Sequence, residues 1–169
     1  MSVALDNLNS LADNEATTAL RQCCGSRTWA QAMAAARPFS GTPQVHLTAD
    51  DFLDELQPDD WLEAFATHPR IGESAAGTAS DNRSDRSADE RAGLDSADQA
   101  DRARLAEANS EYFDQFGYIF LISAAGKSAA EMLTALERRV RHAPELELEV
   151  AAAQQRLLTH LRLDKLLGL

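Results

Sequence analysis

The run His68-Pro69-Arg70-Ile71-Gly72 holds the side chains best suited to chemistry in this chain. Histidine is the side chain whose unperturbed pKa lies closest to neutrality, which fits it for moving protons. Proline fixes its own φ and drives the residue before it out of the helical region. His68 is therefore expected in extended backbone where a helix stops, with its imidazole aimed rather than packed. The competing reading is a helix-end histidine bonded to a carbonyl. Glu90 is the second candidate. It closes Ser87-Ala88-Asp89-Glu90, whose spacing also fits a plain capping box. A carboxylate beside an imidazole fixes its tautomer and raises its pKa, so the two residues would act best together. Residues 69–86 form a polar stretch long enough to join them, and loops of that length are often functional.

Other chemistries lack their motifs. The four histidines, His46, His68, His142 and His160, show neither HxxxH nor HExxH spacing, and no Cys/His cluster exists. No metal is expected. There is no Walker loop, no GxGxxG and no GxSxG elbow. What remains is acid–base chemistry without a cofactor. The net charge of −11, with 27 acids against 16 bases, argues against nucleic acid or an anionic membrane as partner. One arginine or one helix N-terminus would still hold a small anion. Cys23 and Cys24 are adjacent and poorly placed to bond each other, which reads as two buried thiols in a reducing compartment. The first ten residues carry no basic region and no long apolar run, so neither a signal peptide nor a membrane span is expected. A cytoplasmic protein is the expectation.

These residues need a frame. The 169 residues suffice for one domain with a substantial core, and 44% hydrophobic with only 6% aromatic residues predicts an aliphatic, helical one. The pattern Ala16, Ala19, Leu20, Cys23 marks a helix over residues 12–24. Ser26 is placed to cap the next, which must stop before Pro38. Thr48-Ala49-Asp50-Asp51 reads as a cap with an acidic first turn ahead of Phe52, Leu53 and Leu56, leaving His46 before the helix. Asp59 can cap a short helix that ends at His68-Pro69. Ser87 restarts a helix, and Asp95 or Ser96 starts a long one reaching residue 115. Ser128-Ala129-Ala130-Glu131 is a further capping box, and Pro144 suits the first turn of a last helix carrying Leu148, Ala151, Ala152, Leu158 and Leu161. Phe116 to Ser123 is apolar and rich in β-formers, yet no second strand exists to pair with it. It is expected to finish the preceding helix and cross the core irregularly, with backbone groups available to a ligand. The fold expected is all-α, a single-domain bundle of about eight helices.

Several of these stretches, in this order, resemble the OHCU decarboxylases (2-oxo-4-hydroxy-4-carboxy-5-ureidoimidazoline decarboxylases) of the urate-to-allantoin pathway. Cys23-Cys24-Gly25-Ser26, Trp29, Met33 and Arg37-Pro38-Phe39 are similar to the family's N-terminal signature. His68-Pro69-Arg70-Ile71-Gly72 resembles its catalytic histidine motif, and Ser87 to Glu90 with Ala92-Gly93 its Ser-x-x-Glu-Gln-Ala-Gly element. Asn109, Tyr112 and Phe116 to Ile122 resemble its ligand-contacting segment, and Ser128 to Leu133, Glu147 and Arg162-Leu163 its final helices. Arg91 departs from the family's usual glutamine. A guanidinium only donates, so any contact in which that amide accepts is lost.

The resemblance implies a cofactor-free decarboxylation that yields (S)-allantoin. His68 would be the general acid/base, with Glu90 orienting it or binding the ureido N–H groups. Ser87, Pro69 and the backbone of Phe120, Leu121, Ile122, Ser123 and Ala124 would contact the substrate. Arg70 and Arg91 are candidates for its carboxylate. A homodimer is the expected assembly. Two other readings stay open on the residues: a non-enzymatic helical interaction module, and a different lyase or hydrolase acting on a related ureido compound.

Overall fold

The computed structural model describes residues 3–68, 99–123 and 126–169, without the side chains of residues 99–102. These residues hold eight helices and no strand, so the all-α expectation holds. The helices are α1 (Val3–Ser10), α2 (Asp13–Arg21), α3 (Arg27–Ala35), α4 (Thr42–Asp54), α5 (Pro58–Phe65), α6 (Gln99–Phe116), α7 (Ala129–Arg139) and α8 (Pro144–Leu167). They fall into two compact units, residues 1–67 with 152–169, and residues 68–151.

In the first unit the helix starts follow local chemistry. Ser26 Oγ accepts from Trp29 N at 3.2 Å and caps α3, as expected. The Trp29 ring is enclosed, and its indole N–H donates to the Ala49 carbonyl at 3.1 Å, tying α3 to α4. Arg37 closes the end of α1, with one guanidinium nitrogen donating to the carbonyls of Leu8 (2.7 Å) and Leu11 (2.8 Å). This satisfies acceptors that a helix C-terminus leaves over. A side chain at Gly25 would meet the Thr67 side chain at 2.3 Å, so this glycine allows the α5 exit to pack against the α2–α3 turn.

Two starts differ from expectation. Residues 48–51 are not a cap. α4 begins at Thr42 behind Gly41, with Pro43 in its first turn, where a missing N–H costs nothing. His46 is therefore inside α4 rather than before it. Likewise α5 begins behind Gln57, not Asp59, again with a proline leading and Asp60 bonding back to the Gln57 N–H at 3.0 Å. In both cases a proline sets the start upstream of the acidic residues.

In the unit 68–151, α6 buries Leu105, Ala108, Asn109 and Tyr112, the i, i+3, i+4, i+7 face of a helix, and packs on α7. Gly117 at φ +78° stops α6, and its N–H bonds the Phe113 carbonyl at 2.8 Å. The chain then runs irregularly through Tyr118, Phe120, Leu121 and Ile122, all buried, as the lone apolar run led us to expect. The Ser128–Glu131 capping box forms reciprocally at the start of α7. Pro144 opens α8. Its buried stripe recurs every fourth residue: Glu147, Ala151, Gln155, Thr159, Leu163 and Leu167. That differs from the apolar set read from sequence, of which Leu161 is exposed, because three polar residues occupy the inward face.

Candidate active site

α5 ends at Phe65, and Thr67 Oγ1 donates to the Ala64 carbonyl at 2.7 Å. His68 follows, half-buried, so the helix does stop just ahead of it. Pro69, Arg70, Ser87, Glu90, Arg91 and Ala124 lie outside the described residues, as do the 69–86 stretch and the helix restart at Ser87. His68 and the Phe120–Ser123 segment belong to the same compact unit.

The segment is held from one side by a buried polar cluster. Arg139, near the end of α7, is 2% exposed. Its Nη1 donates to the Leu121 carbonyl at 2.6 Å, and its guanidinium carbon lies 4.6 Å from the Phe120 ring centre. The opposite edge of the same group donates through Nε (2.8 Å) and Nη2 (2.6 Å) to Glu147 Oε1. Glu147, fully buried in the first turn of α8, also accepts from the Tyr112 hydroxyl and, through Oε2, from His142 Nδ1 at 2.8 Å. Four donors, Arg139 Nε and Nη2, the Tyr112 hydroxyl and His142 Nδ1, converge on one carboxylate, the arrangement a buried charge requires. Burial, the bond to Glu147 and its charge push the Tyr112 phenol well above its usual range, with Arg139 acting the other way. Tyr112 also meets Phe116 (4.7 Å), Tyr118 (5.9 Å) and Phe120 (5.3 Å) ring to ring. Lys127 Nζ fixes the Ser123 carbonyl at 2.7 Å.

Sequence reading missed this cluster. The signal for Arg139 is a charge on an apolar stripe, seven residues after Met132 and three after Leu136. His142 lies just past the end of α7, and no motif in the sequence marks it. Its Nδ1 must donate, because the carboxylate it faces only accepts.

A second polar cluster lies in the other unit. His46 and His160, 114 residues apart, face each other through Nδ1 atoms 2.7 Å apart. Their ring centres are 4.9 Å apart and their planes 15° from parallel. With the nitrogens this close, that separation means the rings meet edge to edge. Asp164 accepts from His46 Nε2 and Asp50 from His160 Nε2, each at 2.9 Å. With both outer nitrogens donating, one further proton between the Nδ1 atoms completes the contact. Arg156 bonds Asp50 at 2.7 Å and also Asp54. Burial works to raise the Asp50 carboxyl, but the bonds and charges of His160 and Arg156 outweigh it and hold it below the usual carboxylate range. Among the described residues no group of three His, Cys, Asp or Glu side chains is placed to hold a metal ion. Nor is Cys24 set up as a nucleophile: burial pushes its thiol up to about 11, against opposing bonds from Ser26 and Thr159. No described helix is long and apolar enough to cross a membrane.

Residues 9–164 match the model of the OHCU decarboxylase family. The chain is 37% identical over 145 residues to the uric acid degradation bifunctional protein of Arabidopsis thaliana, covering 85% of this chain and 45% of that protein. It therefore spans under half the length of that relative. It is 32% identical over 136 residues to 2-oxo-4-hydroxy-4-carboxy-5-ureidoimidazoline decarboxylase of Mus musculus, covering 78% of this chain and 74% of that one. Among solved structures it is similar to an OHCU decarboxylase crystallised in the presence of (S)-allantoin. The TM-score is 0.77 and the identity 33%, over 94% of this chain and 99% of that chain.

Proposed function

The chain belongs to the OHCU decarboxylase family, and from that premise we propose that it decarboxylates 2-oxo-4-hydroxy-4-carboxy-5-ureidoimidazoline to (S)-allantoin, the last step from urate to allantoin. The observation that carries this reading is the likeness, along nearly the whole chain, to the OHCU decarboxylase crystallised with (S)-allantoin.

The substrate's own chemistry makes a separate electron sink unnecessary. Its carboxylate sits on a ring carbon next to a carbon–nitrogen double bond. As carbon dioxide leaves, the electron pair of the broken bond passes into that double bond, and a proton returned to carbon on one face sets the configuration. Work done elsewhere by a cofactor is done here by the ring. The protein must orient the ring, stabilise the charge that develops on it and handle the proton.

In this reading His68 is the general acid/base acting at the substrate hydroxyl. Glu90 orients it or binds the ureido N–H groups, and Ser87 bonds the ligand. Pro69 contacts the substrate, and Arg70 or Arg91 pairs with the departing carboxylate. The backbone of Phe120, Leu121, Ile122, Ser123 and Ala124 holds the ring and ureido amides. The protein works in the cytoplasm, a reading supported by the free thiols Cys23 and Cys24. It works as a homodimer, supported by the exposed Leu157 and Leu161, one turn apart on α8.

The test is a coupled assay in which urate is oxidised, the first product is hydrolysed and the purified chain is added. Optically active (S)-allantoin should appear faster than the spontaneous rate. Racemic allantoin at the spontaneous rate would refute the proposal.

A further inference from the structure

Resting on the reading above, we propose that Arg139 is a positioning residue for the reaction: by holding the Leu121 carbonyl it aims the Ile122 N–H at the substrate. The two groups belong to one trans peptide unit, in which C=O and N–H point in opposite directions. Turning the Leu121 carbonyl onto Arg139 at 2.6 Å therefore turns the Ile122 N–H away from the cluster. Ile122 is buried, and among the described residues its N–H has no hydrogen-bond partner. Buried backbone donors are rarely left unpaired, so this one calls for an acceptor from a ligand. A carbonyl or carboxylate oxygen of a small anionic heterocycle supplies it.

The guanidinium suits this task because its donors form a rigid planar fork. One edge is clamped on Glu147 by two bonds, so the other edge presents a donor to Leu121 at a fixed place. Glu147 is itself fixed by Tyr112 and His142. The Phe120 ring lies against the guanidinium, which sets the residue before the peptide unit as well. A lysine at 139 would keep the charge and lose the fork.

The experiment compares the wild-type chain, Arg139→Lys, Arg139→Met and the double variant Arg139→Met/Glu147→Leu. Three readouts are taken: the unfolding midpoint, the resonances of the Leu121 carbonyl and Ile122 amide without substrate, and kcat and KM in the coupled assay. Replacing both members of a buried pair by apolar residues removes the uncompensated charge, so the double variant should regain much of the midpoint lost by Arg139→Met. Its Leu121 and Ile122 resonances should stay displaced. Its KM should stay raised and its kcat/KM lowered by on the order of 10²-fold, the effect of a misplaced binding group. Arg139→Lys should show the same displacement and a raised KM while remaining folded. Recovery of kcat/KM together with the midpoint would show that Arg139 serves stability alone and overturn the proposal. Unmoved Leu121 and Ile122 resonances in Arg139→Lys would overturn it whatever the activity. A wild-type chain inactive in the assay refutes the proposed function instead, because the resonance test needs no turnover.

Discussion

Two polar clusters hold the two units, and they differ in what burial makes of them. The Glu147 cluster is sealed at its centre: Glu147 is fully buried and Arg139 nearly so, the two charges bond each other directly, and only His142 at the edge is partly exposed. The Asp50–His160–His46–Asp164 cluster, with Arg156 and Asp54, is partly open, with side chains about a quarter to two-thirds exposed. Both join residues far apart in sequence. Only the sealed one grips a backbone segment, through the Leu121 carbonyl. A charge in water is interchangeable with its solvent shell, whereas a buried one can be satisfied in few geometries. The sealed cluster is thus the one able to fix a peptide plane.

The largest effect that follows is on Glu147. Glu147→Gln leaves Arg139 buried without its counter-charge and should cost about 3–5 kcal/mol, read as a lowered denaturation midpoint. A loss under about 1 kcal/mol would place the cluster with ordinary surface pairs. Gly25→Ala drives a methyl group into Thr67. It should cost about 1–3 kcal/mol, the usual range for overpacking, with turnover lowered because Thr67 leads directly into His68. In the open cluster, Arg156→Met should cost at most about 1 kcal/mol, and added salt should shrink the difference.

Acid and alkali should separate the clusters. Asp50 is held below its usual range in the fold, so its contribution is present above the unfolded value of about 3.9 and is lost as pH falls through the folded one. Both tryptophans, Trp29 and Trp61, lie in that unit, so their fluorescence should report acid loosening. Tyr112 is held above its usual range. Its contribution is present below the unfolded value of about 10 and declines as pH rises beyond it. Both tyrosines lie in the other unit, so tyrosinate absorbance follows that loss. Tyr112 ionising near pH 10 in the folded protein would contradict the sealed cluster. The smallest effect belongs to the exposed Arg104–Glu137 pair: Arg104→Ala should leave the denaturation midpoint unchanged.

What was legible in the sequence was local. Ser26, Ser128 and Pro144 each announce a helix start through a bond made, or not needed, within a few residues. The lone apolar run at 116–123 was readable as irregular because no partner strand existed for it. The starts of α4 and α5 were misread because acidic residues inside a helix look like caps when the leading proline is passed over. The inward face of α8 was hidden for a different reason. Hydrophobicity marks burial, but Gln155 and Thr159 bond each other one turn apart on the inward face, while Glu147 is buried by virtue of hydrogen bonds to Tyr112 and Arg139, residues of other helices. The same holds for the contact of His46 with His160. His68 stood out from sequence because Pro69 constrains it locally, whereas Arg139 acts only through contacts that the fold supplies.

The most direct test of the account is His68→Asn in the coupled assay, with the unfolding transition measured alongside. A positioned acid/base contributes about 10²–10⁴-fold, so turnover to (S)-allantoin should fall by that order while the transition stays where it is in the wild type. Near-normal turnover in a folded His68→Asn chain would contradict it.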